Sequence, residues 1–149
     1  MPRQGFAFHA HLHSGHLLEE ALRARLSGMG ISPRQARVLD AMDRMGPVSQ
    51  IELARAFHLT AASMSTMTSR LTSAGLIEKA RNPDTTRSHL LTLSAHGRET
   101  LAAVYAVWAE MDRLLESLLG EAKAQRLAEL TRELRDALGG RPPGPATGD

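Results

Sequence analysis

The sequence predicts a mainly α-helical protein with a small β-hairpin, arranged as a winged helix-turn-helix with N- and C-terminal dimerisation helices. Helix start and stop signals divide residues 49–75 into two short helices joined by a tight turn. Two strand candidates, 76–80 and 89–93, follow and enclose a segment dense in turn-forming residues. Long helices with apolar seams flank this unit on both sides.

The helix pair is defined by its capping residues. Ser49 and Glu52 have the spacing of a capping box, in which each side chain bonds the other residue's backbone N–H. Thr60 can cap the second helix, and Gly75 ends it. Three apolar residues of this second helix are expected to point inward at helical spacing: Met64, Met67 and Leu71.

The flanking helices are predicted over residues 6–26, 95–119 and 121–138, and Ser32-Pro33 begins another before the helix pair. The last helix has a seam of leucines: Leu127, Leu130, Leu134 and Leu138. A small domain has too little core to cover such seams, so we expect a second copy of the chain to cover them. The alternative is that these helices fold back on the helix-turn-helix.

These boundaries predict one domain over residues 1–139. Within it, 6–28 and 95–138 form the dimerisation helices and 32–94 form the winged helix-turn-helix. Residues 140–149, rich in glycine and proline, are predicted to be a disordered tail.

Composition limits the class of protein. With 42% hydrophobic residues in 149, the chain can bury a core and is not wholly disordered. The absence of cysteine excludes disulfides, thiol nucleophiles and thiolate metal sites. Neither a signal peptide nor an apolar run of about 18 residues is present, so a cytoplasmic protein without membrane association is expected. Residues 1–94 hold 11 Lys/Arg and 7 Asp/Glu, whereas residues 95–149 hold 7 and 9, which puts the basic excess outside the C-terminal helices.

The second helix of the pair is a candidate DNA-recognition helix. Its outward positions are mostly small hydroxyl residues plus Arg70, and small side chains let a helix enter a major groove closely. Arg81 and Arg87 bracket the following turn, and arginine suits a narrow minor groove. A solvated surface helix explains the hydroxyl residues equally well when they are taken alone.

The order of these parts resembles the multiple-antibiotic-resistance regulator (MarR) family. The resemblance covers about residues 6–138 and is specific over 49–97, where Leu-x-x-x-Gly-Leu-Ile (71–77) and Leu-Ser-x-x-Gly (93–97) stand on either side of the hairpin. It implies a homodimer that binds a pseudo-palindromic operator through the wing and the recognition helix. It places these residues at groove- and phosphate-facing positions: Ser63, Ser65, Thr66, Ser69 and Arg70.

The predicted wing departs from the family pattern at one position. The family's wing usually reads Asp-x-Arg, and here the three positions are Thr85, Thr86 and Arg87. The arginine is kept, but the carboxylate that often braces it is a threonine. Asp84, one residue earlier, is a possible substitute, and the departure bears on the rigidity of the wing more than on its role.

Four of the seven histidines lie close together near the N-terminus. His9, His13 and His16 share a helix face with Glu20, but along one helix they extend over about 16 Å, too far for one tetrahedral metal site. The family resemblance implies a small aromatic or acidic effector, for which His11, His13 or His16 could donate hydrogen bonds. An organic anion, no ligand at these positions, and a metal ion all remain open.

The sequence therefore predicts a ligand-responsive DNA-binding regulator, a repressor released by a small aromatic or acidic molecule, with no cofactor. A metal-sensing regulator using the histidine cluster is the alternative. A third possibility is an interaction module or an enzyme that does not bind DNA. No catalytic residues are assigned, because the sequence has no glycine-rich phosphate loop and no nucleophile motif with its partners in order.

Overall fold

The computed structural model describes residues 5–85 and 89–142. Within them six α-helices and one two-stranded antiparallel sheet are found. In chain order they are α1 (Ala7–Leu26), a short 3-10 turn (Ser27–Met29), α2 (Pro33–Met45), α3 (Gln50–Ala56), α4 (Ala61–Ser73), β1 (Ile77–Arg81), β2 (His89–Leu93), α5 (Ala95–Leu119) and α6 (Glu121–Ala137). The predicted fold class is confirmed.

The helix starts follow the predicted caps. Ser49 Oγ accepts from the Glu52 backbone N–H at 3.2 Å, and the Glu52 carboxylate accepts from the Ser49 N–H at 2.8 Å. Thr60 and Ser94 cap α4 and α5 in the same way, by accepting from the backbone N–H three residues later. These local bonds satisfy backbone donors that a helix leaves unpaired at its first turn.

The hairpin pairs Ile77 with Leu93 and Arg81 with His89. The first strand therefore begins one residue later than predicted and includes Arg81. The physical reason is that the Leu76 N–H donates to the Leu71 carbonyl at 3.0 Å, which makes Leu76 part of the closure of α4.

One hydrophobic core joins the helix-turn-helix to α1 and α5. Leu26 of α1 and Val104 of α5 are fully buried beside side chains from α2, α3 and α4. The helix α6 contributes one buried residue, Ala124, and leaves its leucine seam exposed. In the described part of the chain, no helix is both long and apolar enough to cross a membrane.

The predicted tail, residues 140–149, lies outside the described residues from residue 143 onward.

Candidate nucleic-acid interface

The helix α4 exposes one polar face. All five of its predicted contact residues are exposed: Ser63, Ser65, Thr66, Ser69 and Arg70. At about 100° per residue, Thr66 and Ser69 lie nearly opposite the buried Met64 and Leu71, whereas Ser63 and Arg70 lie at one margin. Ser73 shares the central line of this face, and the sequence interpretation did not assign it. In the sequence, the i, i+7 spacing of Ser73 from Thr66 indicates that both lie on this face.

The side chains on this face differ in their hydrogen bonds. Thr66 Oγ1 donates to the Ala62 carbonyl at 3.2 Å, and Ser63 Oγ accepts from Thr60 Oγ1 at 3.0 Å. In residues 5–85 and 89–142, the side chains of Ser65, Ser69 and Arg70 have no hydrogen-bond or ion-pair partner. One cation and two hydroxyl groups are therefore available to phosphate or base atoms.

A buried polar contact holds α4 against α3. Thr68 is only 3% exposed, and its Oγ1 lies 3.0 Å from Gln50 Oε1 and 3.2 Å from the Ser65 carbonyl. The sequence interpretation counted three apolar inward positions and missed this fourth, polar one. Its signal is the i+4 spacing from Met64, which places it on the buried side of the helix.

The wing presents Arg81 at the exposed end of β1. Beyond it, Asn82 Oδ1 accepts from the Asp84 backbone N–H at 3.0 Å, which closes a local Asx turn. Arg87, the other predicted wing contact, lies outside the described residues. The structure therefore places Arg81 on the hairpin, and the contacts of both arginines with DNA stay a prediction.

The Leu-Ser-x-x-Gly motif closes the junction between α4, β1 and α5. The Ser94 N–H donates to the Leu76 carbonyl at 3.0 Å, and Ser94 Oγ donates to the Gly75 carbonyl while accepting from the Gly97 N–H. A Cβ at Gly97 would lie 1.9 Å from the Leu76 carbonyl oxygen. Only glycine lets α5 approach the chain this closely.

A cavity of about 720 Å³ separates the helix-turn-helix from the long helices. Its apolar wall includes Leu22, Phe57, Leu59, Trp108 and Met111, which come from α1, the α3–α4 turn and α5. A volume of this order accommodates a small organic ligand.

The cavity carries more positive than negative groups. Three arginines line it: Arg34 and Arg37 of α2, and Arg141 after α6. Neither arginine of α2 has a side-chain partner in the described part of the chain. Of the two acids in the lining, Glu19 is held by Arg23 at 3.0 Å, which leaves Asp112. The sequence interpretation missed the two arginines, and their signal is an i, i+3 pair on the exposed side of α2.

The predicted effector residues His11, His13 and His16 are exposed on α1 and do not line this cavity. The His16 imidazole lies 3.2 Å from the Glu20 carboxylate, which confirms that His16 and Glu20 share a helix face. Among the described residues, no group of three or more His, Asp or Glu side chains could hold a metal ion.

A polar contact joins α5 to α2. Tyr105 Oη donates to Asp40 Oδ1 at 2.8 Å, while Asp40 Oδ2 accepts from Arg44 at 2.9 Å. Burial, together with the hydrogen bond to Asp40 and its charge, raises the pKa of Tyr105 from 10.0 to about 12. The phenol therefore stays protonated and donates over the physiological pH range.

Comparison with known proteins agrees with this architecture. Residues 29–88 match the model described as the MarR family. A search of curated proteins by sequence finds no significant match.

Solved structures share the fold over most of the chain. The reduced form of MarR from E. coli superposes with a TM-score of 0.79 at 19% identity, covering 89% of this chain and 98% of that one. The transcriptional repressor CouR, bound to a 23-mer DNA duplex, gives 0.79 at 25% identity, with 87% and 92% covered. The S. aureus MepR–DNA complex gives 0.73 at 20% identity, with 89% and 99% covered.

The match over residues 29–88 includes the helix pair and β1, and the shared fold extends through the long helices on either side. The family resemblance inferred from the residues is thereby confirmed: residues 29–88 match the MarR family, and the fold of the chain is similar to that of MarR-family structures.

Proposed function

We propose that this protein is a transcriptional repressor that binds a pseudo-palindromic DNA operator as a homodimer and is released by a small organic anion. The observation that carries the proposal is the exposed face of α4, with its hydroxyl groups and the unpaired Arg70, inside the segment that matches the MarR family. Structures of similar fold support it, because CouR and MepR were solved with DNA and a mutant of E. coli MarR was solved with operator DNA.

In this proposal each part of the interface has a separate task. Arg70 lies at the margin of the α4 face, where it would meet phosphate and set the position of the helix. Thr66 lies at the centre of that face and nearer the N-terminus of α4, where it would read a base edge. Arg81 and Arg87 would contact the adjacent minor groove through the wing.

The exposed apolar seams support a dimer. Leu127, Leu130 and Leu134 of α6 are between 42% and 49% exposed, and Leu138 is 78% exposed. Phe6, Phe8 and Leu12 add further exposed apolar surface at the start of the chain. A second copy would cover these side chains and would set two recognition helices about 34–36 Å apart, one turn of duplex DNA.

The cavity supports an organic anion as the effector. It joins an apolar wall that includes Trp108 to the two unpaired guanidinium groups of Arg34 and Arg37, which suits an aromatic ring carrying a carboxylate. A ligand there would lie between the dimerisation helices and the helix-turn-helix, so it could change the separation of the recognition helices. His11, His13 and His16 remain a prediction of effector contact that depends on the partner chain.

The metal-sensing alternative lacks support. His9, His13 and His16 share a face, but the described residues place no third ligand group beside any pair of them. We therefore do not propose it.

Selection of bound sequences from random duplex DNA tests the proposal. We expect a two-fold symmetric site whose affinity falls steeply with salt concentration. Arg70→Ala should weaken binding to all DNA sequences about equally. It should also lower the slope of log affinity against log salt concentration by about one. Arg132→Ala, on the side of α6 away from the leucine seam, is the matched control and should change neither quantity. A protein without any salt-dependent DNA binding would instead be an interaction module or an enzyme.

The same selection tests the placement of α4. Thr66→Ala should relax the preference at one base position of each half-site, because a base contact and not a phosphate contact is lost. Competition binding against single-base operator variants at two salt concentrations measures this. If every base preference survives, a different face of α4 meets the groove.

A further inference from the structure

The turn between α3 and α4 is closed by a histidine in a left-handed backbone conformation. His58 has φ 52°, and it is the one non-glycine residue with positive φ in the described part of the chain. The Leu59 N–H donates to the Ala54 carbonyl at 2.9 Å, and the His58 N–H donates to the Arg55 carbonyl at 3.2 Å. This pair of bonds is a Schellman motif, which requires a left-handed residue between the helix and the following chain.

Two other helices end with the same pair of bonds, and both use glycine at the left-handed position. Gly75 closes α4 with φ 74°, and Gly139 closes α6 with φ 82°. A side chain at such a position strains the backbone, and glycine removes that strain. The turn that orients the recognition helix therefore keeps a side chain where the other two ends have none.

His58 is one of the residues that line the cavity between the helix-turn-helix and the long helices, and it is exposed. Its neighbours Phe57 and Leu59 line the same cavity. Thr60, two residues after His58, is the N-cap of α4 and accepts from the Ser63 N–H at 3.1 Å. A short length of chain thus connects the cavity wall to the first turn of the recognition helix.

We propose that the His58 imidazole contacts an anionic effector in this cavity, and that this contact changes the position of α4 through the α3–α4 turn. Arg34 and Arg37 would hold the negative charge, while the imidazole donates a hydrogen bond from the side of the turn. Because His58 stands in a strained conformation, a contact to its side chain acts on the residue whose φ closes the turn. This inference rests on the proposed effector cavity.

A purely structural explanation predicts a different result. Histidine is among the residues that tolerate left-handed backbone better than most, so His58 could simply be accepted there. Glycine would then raise stability and leave the response to ligand unchanged. Stability and response therefore need to be measured on the same variants.

Three variants separate the two explanations. His58→Gly removes the imidazole and the strain, and His58→Ala removes the imidazole but keeps a Cβ at the strained position. His96→Ala removes an exposed histidine from the first turn of α5, outside the cavity lining, and is the matched control. The probe is 4-iodobenzoate, an aromatic carboxylate whose iodine quenches tryptophan fluorescence, and Trp108, the single tryptophan, lines the cavity.

The full-length protein is titrated with 4-iodobenzoate while Trp108 fluorescence and the anisotropy of a labelled selected DNA site are followed. We expect quenching and DNA release in the unaltered protein. Both His58 variants should need at least about 10-fold more probe for release, a loss of about 1.4 kcal/mol in coupling. His58→Gly should also raise Tm by about 2–4 °C, while His58→Ala should not.

The outcomes distinguish the two proposals. If the unaltered protein is neither quenched nor released, the effector cavity and the role of His58 fail together. If the unaltered protein responds, and the His58→Gly variant releases DNA at the same probe concentration, the proposed effector cavity is supported and the proposed role of His58 is wrong. Loss of response in both His58 variants but not in His96→Ala, with a raised Tm only in His58→Gly, supports the inference.

Discussion

The helix-turn-helix lobe and the C-terminal helix α6 are both built from amphipathic helices, yet they bury their apolar side chains to different extents. In the lobe, Leu39, Leu53 and Met64 are fully buried by neighbours from the same chain. In α6, Ala124 is the one buried residue, and the leucine seam remains 42–78% exposed. A lobe packed in this way can hold a recognition surface on its own, whereas α6 needs a partner to bury its seam.

The largest effect is expected at the exposed leucine seam of α6. Leu130→Asp combined with Leu134→Asp should raise the dimer dissociation constant at least about 1,000-fold, near 4 kcal/mol, because unpaired carboxylates would be buried at the interface. Sedimentation equilibrium measures the constant, and tight DNA binding should be lost with the dimer. Gln125→Asp, on the opposite side of α6, should leave both intact. A native monomer with full DNA affinity would rule out this interface.

The next largest effect is expected where α5 packs against the helix-turn-helix lobe. Gly97→Ala should lower the free energy of unfolding by about 1–3 kcal/mol or more, because its Cβ would meet the backbone of Leu76 and backbone moves at greater cost than a side chain. Gly15→Ala is the control, since no heavy atom lies within 4 Å of a Cβ there and the helix should gain up to about 1 kcal/mol. Urea unfolding compares the two. Equal effects would mean that the approach of α5 to Leu76 is not tight.

A smaller effect is expected at the contact that holds α4 against α3. Thr68→Val keeps the shape of the side chain but removes the hydroxyl that bonds Gln50, and it should cost about 0.5–1.5 kcal/mol. Thr66→Val, on the exposed face of α4, should change stability by less than about 0.5 kcal/mol. Thermal unfolding of both variants checks the difference. A larger loss from Thr66→Val would reverse the assignment of the two faces.

The smallest effect is expected at the contact between α5 and α2. Tyr105→Phe should cost about 0.5 kcal/mol near neutral pH, because the lost hydrogen bond to Asp40 is partly exposed. Since folding raises the pKa of Tyr105 to about 12, the neutral phenol stabilises the fold fully below pH 10, and this stabilisation is lost as pH rises from 10 to 12. Over that range the free energy of unfolding should fall more steeply in the unaltered protein than in the Tyr105→Phe variant. Parallel curves would contradict the raised pKa.

The helix ends of this protein follow from its sequence, because capping is a local interaction. Ser49 with Glu52, Thr60 and Ser94 bond groups three residues away, so their roles follow from spacing alone. The order of helix pair, hairpin and long helices, and with it the resemblance to the MarR family, follows from the same local signals.

Which distant groups meet is set by the packing of the folded chain. Threonine is a polar residue type that is mostly exposed, but Thr68 is buried where α4 packs against α3. There Gln50 of α3 accepts its hydrogen bond. Arg34, Arg37 and His58 come to one cavity because α2, the α3–α4 turn and α5 pack around it, and the exposed histidines of α1 do not. Local spacing places each residue on a face of its own helix. Which faces meet depends on how the helices cross, and the crossing is set by packing between residues far apart in the chain.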